Sequence, residues 1–214
     1  NNLSPRKENK IALQKEFNLK TDSRFPLLGI VGRLDDQKGL DLIKETIDFL
    51  LTECQIQLVV CGGGDDRYRD LFFNLEKVYP DMVGTHLLFD PNLPHKIFAG
   101  ADMILIPSRF EPGGIVALEA MRYGSVPIVR ATGGLADSVV DYDPTLGVGT
   151  GFSFRTYSGM SFLTAVVRAL ETYKNTNVWN RIVKRAMEQD FSWDKSAKKY
   201  LELYTRAIDL KNNS

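Results

Sequence analysis

The sequence predicts an α/β fold, a single Rossmann-like, doubly wound parallel sheet spanning residues 1–214 as one domain. Three observations lead there. Short, nearly continuous apolar runs alternate along the chain with longer amphipathic runs of helical period. Strands buried on both faces read as unbroken apolar stretches, which is the signature of a parallel sheet covered by helices on both sides. Finally, the loops that follow the apolar runs hold glycines and charges, and ligands bind beyond the carboxyl ends of the strands in such sheets.

The elements follow in order. "NLSPRKENKIALQKEF" opens a helix with Ser4 as N-cap and Pro5 at the first helical position. "FPLLGIVG" (25–32) is a buried strand, followed by a helix over 39–53. "IQLVVCG" (56–62) is the second strand, and residues 66–79 form the next helix, its start capped by Asp65 or Asp66. "HLLF" (86–89) gives a short strand and 93–101 a short helix. "DMILIP" (102–107), a helix over 114–124 and "SVPIVR" (125–130) continue the alternation, and "GFSF" (151–154) closes the sheet. Helices near 159–174, 178–189 and 194–208 complete the chain.

Composition narrows the function. The 27 basic and 27 acidic residues balance, so no basic excess points to nucleic acid or to an acidic membrane surface. No run reaches transmembrane length, and the first residues lack the apolar core of a signal peptide. The two cysteines, Cys54 and Cys61, form neither a disulfide framework nor a metal-ligand spacing. Cys61, inside "QLVVCGGG", reads as a small buried hydrophobe and suits a reducing compartment.

Five loops leave the predicted strand ends: "GRLDDQKG", "GGGDD", "FDPNLP", "PSRFEPGG" and "RATGGL". In the first, Arg33 and Lys38 approach a helix start, where cations beside backbone N–H groups suit a diphosphate. The competing account makes both of them solvated charges paired with Asp35 and Asp36. In "RATGGL", consecutive glycines let backbone N–H groups approach phosphate oxygens, or serve only to reverse the chain. "CGGGDD" matches neither a P-loop nor a dinucleotide fingerprint.

Glu111 and Glu119 lie eight positions apart. On one continuous helix, eight residues would separate them by about 12 Å. Hydrolytic carboxylate pairs sit ~5–9.5 Å apart, so an extended ligand held by a carboxylate at each end fits better. A capping Glu111 and a solvated Glu119 is the simpler competitor. Ser108 lacks the G-x-S-x-G context of a hydrolase nucleophile, and His86 and His95 do not suggest a metal site. "FSWDKSAKKYLELY" (191–204) carries an aromatic and aliphatic stripe at helical spacing.

Together, "GRLDDQKGLDLI", "AGADMILIPSRFEPGGIVALEAMRYG", "PIVRATGGLADSV" and "FSWDKSAKKYLELY" resemble the C-terminal half of a bacterial glycogen synthase or plant starch synthase, in family order over nearly the whole chain. The resemblance implies a two-Rossmann-domain (GT-B) glycosyltransferase that moves glucose from ADP-glucose to the nonreducing end of an α-1,4-glucan. Configuration is retained, ADP is the product, and neither a metal nor another cofactor is needed. It implies that Arg33 and Lys38 hold the donor diphosphate and that Glu111 contacts the donor glucose. Gly113, Gly114 and Ile115 face the sugar and phosphates, and Glu119 takes the ribose hydroxyls. Phe89 stacks on adenine, and Thr132, Gly133 and Gly134 form the second phosphate- and sugar-facing loop.

Two departures stand out. The usual "EPCGL" is "EPGGI" here, which removes a small side chain at Gly113, and Ala131 replaces a frequent Lys or Ser, leaving Arg130 as a substitute cation. The family's N-terminal acceptor domain is not in this sequence, so the chain is expected to bind donor yet to be inactive alone. The resemblance places the enzyme in a bacterial cytoplasm or a plastid stroma. The alternatives are a UDP- or GDP-sugar transferase domain of the same fold, and a non-catalytic nucleotide- or glucan-binding module.

Overall fold

Successive side chains of a strand point to opposite faces, so a strand apolar at every position needs cover on both. The computed structural model, which describes residues 3–212, has that arrangement. Six parallel strands, β1 (Leu27–Val31), β2 (Gln57–Cys61), β3 (Val83–His86), β4 (Met103–Ile106), β5 (Val126–Arg130) and β6 (Phe152–Phe154), form one sheet in the order β3-β2-β1-β4-β5-β6. Leu28, Ile30, Leu58, Val60, Met103, Leu105 and Ile128 face one apolar core. Leu27, Val59, Cys61, Ile104, Ile106 and Val129 face the other.

The first core is covered by α2 (Leu40–Thr52), α3 (Asp66–Val78), α7 (Gly159–Tyr173) and most of α8 (Thr176–Met187). The second is covered by α1 (Ser4–Glu16), α4 (Leu93–Gly100), α5 (Ile115–Tyr123) and the short α6 (Gly134–Ser138). Each fully buried Leu, Ile or Phe contributes about 1.5–3 kcal/mol of transfer free energy. Phe72, Phe98, Phe152 and Phe162 are the largest such side chains. Side-chain caps open α7 and α8: Ser158 accepts from the Ser161 amide, and Asn175 from the Val178 amide. The last helix, α9 (Trp193–Asn212), buries none of its residues.

Three local expectations need correction. Ser4 is the first helical residue rather than the cap, because the Arg6 amide already bonds the Leu3 carbonyl. The third strand lies at 83–86 and not 86–89, since Leu58 to Cys61 pair with Val83 to His86. Gly84 is required there because a Cβ would sit 2.7 Å from Phe17. At the start of α3, Asp65 takes the cap position, but its side chain pairs with Arg67 and Asp66 pairs with Arg69. The Asp65 backbone carbonyl accepts the first helical bonds instead.

Candidate functional site

The strand order places the chain reversal of the fold between β1 and β4, and in open α/β sheets the crevice at such a switch point is where ligands bind. The loop after β1 turns through a 3-10 segment, Asp36–Lys38, before α2. The loop after β4 runs from Pro107 to Gly114, where α5 begins. These two loops meet across the crevice, and a small cavity between them is lined by Gly32, Arg33, Lys38, Ser108, Glu111 and Gly114, among others.

Lys38 and Glu111 form the centre of this meeting. Lys38 Nζ donates to Glu111 Oε2 at 2.7 Å, and the wholly buried Ser108 donates its hydroxyl to the same oxygen at 3.0 Å. Gln37 joins the loops through backbone and side chain, its carbonyl accepting from the Arg109 amide at 2.8 Å. Arg33 is more exposed. It pairs with Asp35 at 3.0 Å and donates to Gln37 Oε1 at 3.1 Å. The expected Asp35 partner is therefore present for Arg33, whereas Lys38 chooses Glu111 over Asp36. Asp36 is held instead by Tyr68 at 2.6 Å and by Arg67. The Tyr68 hydrogen bond, followed by that of Arg67, keeps the Asp36 carboxyl below the ordinary carboxylate range.

The glycine loop after β5 packs directly against the loop after β4. The Gly134 amide donates to the carbonyls of Glu111 at 3.0 Å and Pro112 at 3.2 Å. Gly133 has φ +49°, and a Cβ there would lie 2.3 Å from the Glu111 carbonyl oxygen; one on Gly134 would lie 2.5 Å from that of Gly113. Only glycine permits this approach. Thr132 closes the turn, its carbonyl accepting from the Leu135 amide. Gly113, Gly114 and Ile115 run from this contact into the N-terminus of α5, with Ile115 largely exposed.

Two sequence-selected residues stand apart from the Lys38–Glu111 pair. Glu119 lies one turn into α5, half-buried, with no hydrogen-bond or ion-pair partner among the described residues. It does not share a helix with Glu111, which belongs to the preceding loop. Phe89 leaves the sheet beyond β3 with 87% of its surface exposed, and its backbone passes 3.9 Å from where a Gly63 Cβ would stand. The "GGGDD" loop and Phe89 therefore border one another.

Arg130 is not a free cation. Its guanidinium donates to the carbonyls of Arg109 at 2.5 Å and Arg155 at 3.1 Å, and lies over the Tyr157 ring. Arg109 stacks on the same ring, 4.5 Å from its centroid, and pairs with Asp41 at 2.7 Å. The Tyr157 hydroxyl donates to Asp41 at 2.5 Å; burial, then this bond and the Asp41 charge, push the phenol well above its ordinary value. Sequence reasoning missed Asp41, Tyr157, Gln37 and the hydroxyl role of Ser108. Only Ser108 left a trace, three residues before Glu111 in one loop.

Comparison with known proteins shows the family. A family model described as glycosyl transferases group 1 matches residues 13–186. A protein named glycogen synthase from Pseudothermotoga lettingae is 47% identical over 207 residues, covering 96% of this chain and 42% of its own length. The glycogen synthase of Clostridium novyi is 47% identical over 208 residues, covering 97% of this chain and 43% of its own length. Among solved structures, the catalytic domain of starch synthase IV from Arabidopsis thaliana, bound to ADP and acarbose, matches with a TM-score of 0.87. It is 41% identical, and the match covers 97% of this chain and 44% of that one. Sucrose-phosphate synthase from Thermosynechococcus elongatus shares the fold, with a TM-score of 0.67 and 24% identity over 92% of this chain and 49% of that one. The chain thus spans less than half the length of the relatives it matches. With four-fifths of its residues under one family model and a Rossmann-like sheet shared with solved glycosyltransferases, this chain belongs to the group 1 glycosyl transferases.

Proposed function

We propose that this chain is the donor-binding, C-terminal half of a retaining glucosyltransferase that transfers glucose from ADP-glucose to the nonreducing end of an α-1,4-glucan, as glycogen and starch synthases do. The observation that carries it is the meeting of Lys38 and Glu111, from loops 73 residues apart, at the switch point of the sheet. A cation for the diphosphate and a carboxylate for sugar hydroxyls stand side by side where an open sheet binds its ligand. The relative bound to ADP and acarbose supports the nucleotide and glucan classes.

In this reading Lys38 and Arg33 stabilise the negative charge that develops on the departing ADP, the work a metal ion does in other transferases, so no metal is required. Glu111 accepts hydrogen bonds from the donor glucose, and Glu119, without a partner of its own, takes the ribose hydroxyls. Phe89 offers an exposed ring to the adenine. Backbone N–H groups of Gly113, Gly114, Ile115, Thr132, Gly133 and Gly134 face phosphate and sugar. Residues 1–214 form one donor domain, and the glucan is held by an N-terminal domain of the same enzyme, in a bacterial cytoplasm or a plastid stroma.

Calorimetric titration of the chain with ADP, UDP and GDP, without added metal, tests this reading. ADP binding tighter than the other two is the expected result, with no measurable glucan elongation by the chain itself. A preference for UDP or GDP would move the donor class, and absence of all binding would overturn donor capture by this half. Glucan elongation by the isolated chain would overturn the division of labour between two domains.

A further inference from the structure

Lys38, proposed to meet phosphate, and Glu111, proposed to meet sugar, neutralise one another. Lys38 and Glu111 are both largely sheltered, with side-chain exposures of 22% and 13%, and Lys38 has no other ion-pair partner among the described residues. The charge-assisted bond between them, at 2.7 Å, belongs to the stronger class of hydrogen bonds. A bare nucleoside diphosphate must therefore draw Lys38 away from Glu111 or accept a carboxylate beside its phosphates. If Lys38 leaves, Glu111 keeps the Ser108 hydroxyl alone, and a sheltered charge with too few donors is costly. A nucleotide sugar differs at this point, since its sugar hydroxyls replace the ammonium as donors to Glu111.

We infer that the Lys38–Glu111 ion pair is a built-in competitor that weakens the bare nucleoside diphosphate relative to the nucleotide sugar, and so favours donor over spent product at one site. The inference rests on the proposed function, because it needs Lys38 to meet phosphate and Glu111 to meet sugar. It makes a prediction opposite to that of a simple contact residue: removing the Glu111 charge tightens ADP.

The experiment is a double-mutant cycle by calorimetry on the 214-residue chain, with Glu111→Gln, Lys38→Ala and both together, each titrated with ADP and with ADP-glucose. Glu111→Gln is expected to tighten ADP by about tenfold, the size of one charge-assisted bond released to a new partner, while narrowing the preference for ADP-glucose over ADP. Deleting a carboxylate also removes its direct repulsion of phosphate, and the Lys38→Ala background measures that part separately. There the same substitution is expected to change ADP affinity by less than about threefold. ADP binding by Glu111→Gln no tighter than by the unaltered chain would overturn the inference, as would an equal gain in both backgrounds. Thermal melts verify that each variant is folded, and Glu111→Ala repeats the test if the glutamine variant is not. An unaltered chain that binds no ADP defeats the proposed function itself, which separates the two failures.

Discussion

Single residues decide whether the loops can touch. Gly133 and Gly113 sit in adjoining turns, yet their requirements are opposite. Gly133 has φ +49° and faces the Glu111 carbonyl, so Gly133→Ala carries both backbone strain and a clash with a main chain that cannot rotate away. Gly113 has no positive φ in the left-handed range, and its Cβ would meet only Ile115, at 3.8 Å. A small side chain at Gly113 would therefore fit without strain. Urea unfolding should show Gly133→Ala destabilised by about 2 kcal/mol or more, and Gly113→Ala unchanged or stabilised by about 0.5 kcal/mol. Equal effects at the two positions would contradict this geometry.

At the scale of elements, α9 is the exception to the packing of the rest. The other long helices press a buried stripe on the sheet, whereas Trp193, Tyr200, Leu201, Tyr204 and Ile208 of α9 are all more than half exposed. Their spacing gathers Tyr200, Tyr204 and Ile208 on one face, with the two tyrosine rings 6.3 Å apart. Such an exposed apolar stripe favours self-association. Replacing Leu201, Tyr204 and Ile208 together by serine should lower the self-association seen by sedimentation velocity. The thermal midpoint should stay within about 2 °C, since a surface change away from packed groups moves stability little. A large loss of stability would mean that this face is already buried in solution.

For the whole molecule, the burial of thiols and phenols contributes to the response to alkali. Cys61 ends β2 inside the second core, 2% exposed, and burial pushes its thiol from 9.0 up to about 11. The unfolded chain loses this proton first as the pH rises, so the contribution of the neutral thiol is whole below pH 9 and disappears as the pH climbs through about 11. Chemical denaturation from pH 7 to 11 should show stability falling above pH 9, and Cys61→Ala should remove part of that fall. An identical slope in the variant would assign the effect elsewhere.

The sequence by itself determined the element types and most of their spans, because apolar period and glycine punctuation are local properties that any short window displays. Unbroken apolar strands implied helices on both faces, and the two cores confirm it residue by residue. Motifs at the strand ends supplied the candidate residues, Lys38 and Glu111 among them, that the folded sheet brings together. Pairing was decided only in three dimensions, since no window of sequence says which strands become neighbours. The order β3-β2-β1-β4-β5-β6 is what brings Lys38 to Glu111 rather than to Asp36, and Arg130 to the Arg109 carbonyl. The same holds for the third strand, where alignment with β2 overrode the apolar run at 86–89 and Gly84 leaves room for Phe17. Local patterns report how each segment meets solvent; which charge meets which depends on long-range packing that only the folded chain supplies.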